Sequence, residues 1–202
     1  SLKYLLTILP DNSELVGCVV TDVSPFGKKE SFFTKAKKTY DIFGLNFFVY
    51  YSFKYLKSKF NLNNNIFKFL KYNSIPIILL DKPINNPKSV SKLKSFQPDL
   101  LVSILGNQIF KAPILNLAPK GCINLHTALL PKYRGLMPSF WVMKNNEIKT
   151  GVSVFFVDEG IDSGPIIVQE EVEIGNKTQE ELIVHTKKIG MEAIAKSIDL
   201  IQ

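Results

Sequence analysis

The sequence predicts an α/β protein with a Rossmann-like fold: a mainly parallel central sheet, helices on both of its faces and an antiparallel extension near the C-terminus. Short, continuously apolar runs such as residues 75–80 and 100–105 are typical of strands buried on both faces. Amphipathic segments alternate with these runs, as parallel pairing requires. Two later runs, at 151–157 and 166–174, are joined by a turn too short for a parallel crossover, which predicts the antiparallel extension.

The composition limits the classes of protein to which this chain can belong. The chain has 202 residues, and we expect residues 1–202 to form a single domain. Apolar residues make up 46% of the chain and charged residues 21%, which favours a packed core and argues against disorder. Two cysteines argue against a disulfide scaffold and against a metal site, and they fit a reducing, cytoplasmic compartment. No apolar run reaches the roughly 18 residues that would cross a bilayer.

The net charge of +7 favours anionic partners, such as phosphorylated metabolites, nucleic acid or a membrane surface. The lysines are spread along the chain and are not gathered into one block. We therefore favour the simpler interpretation, in which most of this charge serves to solvate the surface.

The remaining elements follow from periodicity and from turn residues. Helices are expected over residues 2–9, 62–72, 87–96, 109–117, 138–145 and 178–201. Strands are expected over residues 15–21, 75–80, 100–105, 121–125, 151–157 and 166–174. Thr178 and Glu181 have the spacing of a helix capping box. Because a helix precedes the first strand, we expect that the chain lacks the first strand of this architecture.

The segment 28–60 is expected to be a basic and aromatic helical insertion. Residues 28–38 are rich in lysine, and residues 42–56 carry seven aromatic side chains, with Phe43, Phe47, Tyr50 and Tyr51 on one helical face. The favoured interpretation is packing on the domain or on a partner subunit. The alternatives are a membrane-surface contact through residues 42–60 and, least favoured, a nucleic-acid surface.

Polar side chains stand at the end of the strand predicted over 121–125. Asn124 and His126 are two residues apart, so in a strand they share one face, and the turn 158–164 supplies carboxylates. An imidazole can move protons, an amide can stabilise an oxyanion and a carboxylate can orient the imidazole, a set that suits acyl transfer to an amine. There is no G-x-S-x-G elbow, and Cys122 lies within an apolar run, so direct attack by the amine is favoured over a covalent enzyme intermediate. The residues alone leave a purely structural role for His126 open.

Two blocks carry a resemblance to a known family. Residues 124–135, NLHTALLPKYRG, resemble the Asn-x-His…Leu-Leu-Pro signature of the folate-dependent formyltransferases, which act on glycinamide ribonucleotide, methionyl-tRNA or amino sugars. Residues 158–167, DEGIDSGPII, resemble the aspartate turn of that family and place Asp162 at its catalytic position. The resemblance covers roughly residues 75–175. Ala128 departs from the family, which usually has a serine there.

The resemblance implies an enzyme whose formyl donor is 10-formyltetrahydrofolate and which needs no metal. Asn124 would bind the formyl oxygen, His126 would polarise it and shuttle protons, and Asp162 would support His126 and help to take the proton of the attacking amine. Two loops would bind the folate. Their residues are Gly106, Gln108, Ile109 and Phe110 on one side and Phe156, Val157, Asp158 and Ile161 on the other.

The acceptor is expected to be a small, anionic primary amine. Lys132 and Arg134 are the candidate acceptor-binding residues, and Arg134 with Pro138 and Trp141 resembles the sugar and tRNA branches of the family more than the purine branch. An amino-sugar nucleotide is therefore the leading prediction, and methionyl-tRNA or glycinamide ribonucleotide is the alternative. Two further interpretations stay open: a hydrolase that acts on the same donor, and a non-catalytic module that binds folate, membrane or nucleic acid.

Overall fold

The computed structural model of the chain describes residues 2–20, 31–60, 66–104, 106 and 108–201. The chain divides into a large unit, formed by Ser1–Val16 and Leu80–Gln202, and a small unit, Gly17–Leu79. The helices are α1 Leu2–Thr7, α2 Phe32–Phe60, α3 Ile66–Tyr72, α4 Pro87–Lys94, α5 Ala112–Leu115, α6 Pro138–Lys144 and α7 Gln179–Leu200. The strands are β1 Cys18–Val19, β2 Ile77–Ile78, β3 Leu101–Ile104, β4 Cys122–His126, β5 Lys149–Phe156 and β6 Ile166–Glu173.

The large unit contains a four-stranded sheet in the order β3-β4-β5-β6. β3 and β4 are parallel, whereas β4–β5 and β5–β6 are antiparallel, and the last pair has an irregularity between Val154 and Phe155. The predicted Rossmann-like α/β class, with parallel strands and an antiparallel extension near the C-terminus, is confirmed. The predictions that residues 1–202 form one domain and that a first strand is missing stay predictions.

The core of the large unit lies between the sheet and α7. The side chains that meet there are buried and apolar, and they include Ile123, Leu125, Val152, Val154, Val168, Met191 and Ile194. A Cβ atom at Gly190 would come too close to the side chain of Leu125, so this glycine lets α7 approach β4 directly.

The capping box at the start of α7 is present as predicted. The Thr178 hydroxyl accepts a hydrogen bond from the Glu181 N–H at 3.3 Å, and the Glu181 carboxylate accepts one from the Thr178 N–H at 2.8 Å. These hydrogen bonds lower the pKa of Glu181. The box satisfies N–H groups that the first turn of a helix would otherwise leave unpaired.

The small unit contains a two-stranded parallel sheet. Cys18 pairs with Ile77 and Val19 with Ile78, so β1 is shorter than the predicted strand 15–21, whose last residue lies outside the described residues. α3 precedes β2 and buries Leu70 completely. Parallel pairing is therefore seen in both units.

Helix α2 of the small unit begins inside the basic segment, at Phe32, and ends at Phe60, the end of the predicted insertion 28–60. It is interrupted at Gly44, whose φ of 75° and ψ of 177° are not helical. Glycine adopts a positive φ without the clash that a Cβ atom would cause. Several large apolar side chains of α2 are exposed: Phe33, Tyr40, Leu45, Val49, Tyr50, Phe53 and Leu56. The side chains of Phe43 and Phe47, on the predicted apolar face, lie outside the described part of the chain. No helix within the described residues is long and apolar enough to span a membrane.

Candidate active site

The site is built on β4, which lies between two other strands of the sheet. Asn124 pairs with Ser103 of β3 on one side and with Phe155 of β5 on the other, and His126 pairs with Ser153 of β5. Pairing on both sides holds the backbone of β4 in place, and the two-residue spacing puts the amide and the imidazole on the same face. His126 is 6% exposed, so its ring is largely shielded from solvent.

The hydrogen bonds of His126 define its tautomer. Its Nε2 lies 2.7 Å from the carbonyl oxygen of Tyr133, which can only accept, so Nε2 carries the hydrogen. Its Nδ1 faces Oδ2 of Asp162 at 3.4 Å. In a neutral imidazole that is protonated on Nε2, Nδ1 is an acceptor, and so is an ionised carboxylate. A hydrogen bond between Nδ1 and Oδ2 therefore requires one additional proton, and the pair is arranged to receive one.

Tyr133 is itself held in place by hydrogen bonds. Its φ is 56°, and its phenol donates to the carboxylate of Glu147 at 2.6 Å and accepts from the side-chain amide of Asn145 at 3.1 Å. The hydrogen bond to Glu147 raises the pKa of the phenol. Both partners lie on the connection between α6 and β5, so the side chain of Tyr133 is anchored to that connection.

Asp162 occupies a turn held together by its own polar groups. Its φ is 48°, and its Oδ2 accepts the N–H of Gly135 at 2.8 Å. In the same turn, Oδ1 of Asp158 accepts from the Gly160 N–H at 3.0 Å and from the Ser163 hydroxyl at 2.7 Å. The Gly135 N–H thus orients Oδ2 of Asp162, and the same oxygen faces the imidazole.

The turn 158–164 begins at the amino end of β4. Phe156 pairs with Ile123, and the Val157 N–H donates to the Cys122 carbonyl at 2.8 Å. About 13 Å of strand separates that point from His126, so the turn runs back along the sheet to bring Asp162 to the imidazole. The sequence predicts Asn124, His126 and the carboxylates of the turn at the carboxyl end of the strand, but it does not predict that the turn starts from the opposite end.

Oδ1 of the Asn124 side chain is buried and has no hydrogen-bond partner within the described part of the chain. A buried polar atom without a partner is unfavourable by about 1–3 kcal/mol. A donor that the chain does not supply, such as the N–H of an amine, would satisfy this oxygen, and Nδ2 of the same amide can donate to a carbonyl oxygen. Together, the amide, the imidazole and the carboxylate can stabilise an oxyanion and move a proton.

The first predicted folate loop is tied to the segment that precedes α4. The side-chain oxygen of Gln108 accepts the Ile84 N–H at 3.1 Å. Asn85 donates to the Ile109 carbonyl at 2.7 Å, and its side-chain oxygen accepts the Lys111 N–H at 2.9 Å. Ile109 is 65% exposed, so an apolar side chain projects from a fixed loop.

The other predicted folate residues differ in exposure. Gly106 is exposed, and residues 105 and 107 beside it lie outside the described residues. Phe110, Phe156, Val157 and Asp158 are half-buried, and Ile161 is 63% exposed. The assignment of these residues to folate binding stays a prediction.

The two predicted acceptor-binding residues lie on the loop that contacts His126 and Asp162. Lys132 and Arg134 are exposed and flank Tyr133 in the chain. The backbone N–H of Lys132 donates to the Leu129 carbonyl at 3.1 Å, so the loop is turned tightly at this point. Two cationic side chains therefore project into solvent beside the residues that orient His126 and Asp162.

Sequence reasoning missed Ser153 and Gln169. The Ser153 hydroxyl, which is 0% exposed, donates to the Ala128 carbonyl at 2.7 Å, and the Gln169 amide donates to the Leu130 carbonyl at 2.7 Å. Ser153 could have been found from the sequence, because a hydroxyl inside the apolar run 151–157 needs a hydrogen-bond partner when it is buried. The contacts from the Tyr133 carbonyl and the Gly135 N–H had no signal, because any residue can make them.

Cys122 does not provide a nucleophile. It is 2% exposed, and burial raises the pKa of its thiol to about 12. Since the thiolate is the reactive form, the thiol is inert near neutral pH. This supports direct attack by the acceptor.

In comparisons with known proteins, the chain is similar to formyltransferases. The family model described as "Formyl transferase" matches residues 62–198, more than half of the chain. A methionyl-tRNA formyltransferase of Alkaliphilus oremlandii is 42% identical over 56% of this chain, and one of Clostridioides difficile is 39% identical over 64%. The chain spans only 37% and 42% of the lengths of these two relatives.

A solved structure is also similar. The phosphoribosylglycinamide formyltransferase of Bacillus halodurans matches with a TM-score of 0.55 and 30% sequence identity. The match covers 63% of this chain and 70% of that one.

Proposed function

This chain belongs to the formyl transferase family, and from that premise we propose that it transfers a formyl group from 10-formyltetrahydrofolate to a primary amine. The family match confirms the resemblance drawn from the two sequence blocks. The observation that carries the proposal is the placement of His126 Nδ1 3.4 Å from Asp162 Oδ2, on the same strand face as the Asn124 amide, whose buried Oδ1 has no partner within the described residues. An amide N–H donor beside a proton-accepting pair is what transfer between two nitrogens needs.

Asn124 acts on the formyl oxygen in this proposal. 10-Formyltetrahydrofolate carries the formyl carbon on its N10 nitrogen, and attack by the amine moves negative charge onto the formyl oxygen. An N–H of the Asn124 amide donates to that oxygen as the charge develops. Because β4 is paired on both sides, the amide needs little reorganisation during the reaction, which is the condition under which such donors accelerate acyl transfer.

His126 and Asp162 move the proton in this proposal. The attacking amine forms a bond to the formyl carbon and loses a proton, which Nδ1 of His126 and Oδ2 of Asp162 share. The bond from carbon to N10 breaks as that proton passes to N10, so the products are the formylated amine and tetrahydrofolate. The Nε2–H of His126 stays committed to the Tyr133 carbonyl, which leaves Nδ1 as the atom that exchanges the proton.

We assign donor binding to the two loops predicted from the resemblance, 106–110 and 156–161. Ile109 and Ile161 are exposed apolar side chains, one on each loop. They suit contact with the flat ring system of a folate. The backbones of both loops are held by hydrogen bonds within the large unit, so the donor would meet a largely preformed surface.

For the acceptor, we propose the amino group of methionyl-tRNA, with an amino-sugar nucleotide as the second candidate. The curated relatives favour the first, whereas the ranking drawn from the sequence motifs favoured the second. Both acceptors carry phosphate. The exposed cations Lys132 and Arg134 would therefore attract either of them.

The test is an acceptor screen that measures tetrahydrofolate release. Purified protein is incubated with 10-formyltetrahydrofolate and, in separate reactions, with methionyl-tRNA, amino-sugar nucleotides or glycinamide ribonucleotide. The proposal predicts release that depends on methionyl-tRNA, together with formylmethionine on the tRNA. Release only with an amino sugar would replace the acceptor and keep the reaction. Formate and tetrahydrofolate without any acceptor would indicate a hydrolase, and no turnover with any acceptor would overturn the proposal.

A further inference from the structure

A row of three side chains crosses the sheet at the catalytic histidine. His126 on β4 lies opposite Ser153 on β5, and Ser153 lies opposite Gln169 on β6. Directly opposed residues of antiparallel strands project from the same face of a sheet. Ser153 and Gln169 therefore share the face of His126, where the loop 127–135 leaves β4.

The hydroxyl of Ser153 uses all of its hydrogen-bonding capacity on this loop and on its neighbour. It donates to the Ala128 carbonyl at 2.7 Å, accepts the Leu130 N–H at 3.0 Å and accepts from the Gln169 amide at 3.0 Å. A hydroxyl has one donor and two acceptor positions, and each is filled here. Since Ser153 is 0% exposed, loss of the hydroxyl would leave the buried Leu130 N–H without a partner.

The side-chain amide of Gln169, on the edge strand β6, forms hydrogen bonds to the loop and to Ser153. Its Nε2 donates one hydrogen to the Leu130 carbonyl at 2.7 Å and the other to the Ser153 hydroxyl at 3.0 Å. The Leu130 carbonyl can only accept, and the Ser153 hydroxyl already donates its proton to the Ala128 carbonyl. The nitrogen of the amide must therefore face the loop, and a carboxylate of the same size could not replace it.

The same loop orients both members of the catalytic pair. Five residues beyond Leu130, the Gly135 N–H donates to Asp162, and between them the Tyr133 carbonyl accepts from His126. A shift of the backbone at Leu130 would therefore move both contacts together. Displacements of about 1 Å in such contacts can lower turnover by up to about 100-fold.

We propose that Ser153 and Gln169 are positioning residues for the His126–Asp162 pair. They act through the backbone at 128–130, and neither one contacts the pair directly. The inference rests on the proposed formyl transfer for its kinetic readout. It also predicts a structural effect that can be measured without any turnover.

The sharpest variants are Gln169→Glu and Gln169→Met. Both keep the length of the side chain and remove the two N–H donors, and the second adds no charge. Because Gln169 is an exposed residue, we expect both variants to fold. We expect kcat to fall about tenfold in each, with the KM for 10-formyltetrahydrofolate within about twofold of the parent value.

The matched control is Glu171→Gln. Glu171 lies two residues along β6 and forms an exposed ion pair with Lys149 of β5, so this variant perturbs the same two strands without touching the loop. Its kcat should stay within about twofold of the parent value. Ser153→Ala should show a larger loss than the Gln169 variants, because it removes three hydrogen bonds.

Amide hydrogen exchange provides the readout that does not depend on activity. In the Gln169 variants the Leu130 and Gly135 amides should exchange about tenfold faster, while the buried amides of α7 stay unchanged. If these variants leave kcat and both amides unchanged, the inference is wrong. If they accelerate exchange throughout the chain and lower kcat only as far as the folded fraction falls, Gln169 has a general structural role and the inference is again wrong.

The two proposals can fail separately. If the parent protein transfers no formyl group but the Leu130 and Gly135 amides respond as described, the proposed function is wrong and the positioning inference stands. If the parent transfers a formyl group and the Gln169 variants match it in kcat and exchange, the positioning inference is wrong and the proposed function stands.

Discussion

The two loops of the candidate active site and the helix α2 differ in how far their groups are hydrogen-bonded or buried. In the loops 127–135 and 158–164, backbone groups and short polar side chains are paired in a continuous set of contacts, such as Leu130 with Ser153 and Gly135 with Asp162. In α2, the large apolar side chains of Phe33 and Phe53 are 82% and 71% exposed. Hydrogen bonds within the chain fix the conformation of the loops, whereas several of the described apolar side chains of α2 are exposed to solvent.

The region matched by the family model contains both loops and does not contain α2. The groups to which we assign formyl transfer are therefore among the residues that the family model matches. The exposed apolar residues of α2 lie outside the residues that the family model matches. From this contrast we expect that changes in the loops alter turnover and that changes in α2 alter association with other surfaces.

The largest effect is expected for Asp162→Asn. The amide oxygen of asparagine can still accept the Gly135 N–H, so the turn should keep its shape. The pair loses the carboxylate that shares a proton with His126, and we expect kcat to fall about 1,000-fold. The measurement is acceptor-dependent release of tetrahydrofolate. Glu159→Gln, in the same turn but exposed, is the matched control and should keep the parent kcat; normal turnover by the Asp162 variant would contradict its role.

A smaller effect is expected for Gly164→Ala. A Cβ atom there would overlap the backbone carbonyl of Phe156, so the turn that carries Asp162 must shift. We expect kcat to fall by about 10- to 100-fold, because the carboxylate leaves its position beside the imidazole.

Gly160→Ala is the matched control for this prediction. It places the same methyl group in the same turn, but the atoms that it meets belong to the side chains of Ser163 and Asp158, and the Ser163 hydroxyl can turn away at the loss of its hydrogen bond to Asp158. The fall in kcat should therefore be no more than about threefold. If the two alanine variants had equal activity, the rigid contact with Phe156 would not control the position of Asp162.

Most of the elements and the shared face of Asn124 and His126 could be predicted from the sequence. The period of two in a strand determines a face, and apolar runs identify buried strands, so these features depend on local pattern. The route of the turn 158–164 back along β4 could not be predicted. It depends on the pairing of Phe156 with Ile123, and strand pairing between distant segments is not encoded in either segment alone.

The network around His126 illustrates a second limit. Its contacts are made by the Tyr133 carbonyl, the Gly135 N–H and the backbone at Leu130. Backbone groups are common to all residues, so no residue type marks them. In α2, by contrast, the helix was predicted but the interruption at Gly44 was not, because one glycine inside a helical pattern is usually tolerated.

The smallest effect on the fold and on turnover is expected for Phe33→Ser and Phe53→Ser. Side chains this exposed bury little apolar area, so the free energy of unfolding should change by less than about 0.5 kcal/mol, and kcat should stay within about twofold. Leu182→Ala in α7, where the side chain is 0% exposed, is the contrasting control and should cost about 2–5 kcal/mol. Urea unfolding curves measure both values.

The Phe53→Ser variant separates the interpretations of residues 42–60, and Phe33→Ser, outside that range, extends the comparison to the start of α2. Replacing an exposed phenylalanine by serine removes apolar contact without changing charge, so it should weaken an apolar interface or insertion into a membrane surface. Loss of self-association in sedimentation velocity would support a partner subunit, and loss of binding to anionic vesicles would support a membrane contact. If both properties stay unchanged while the protein remains fully active and equally stable, the exposed surface of α2 serves neither purpose, and the functional contrast between α2 and the loops is wrong.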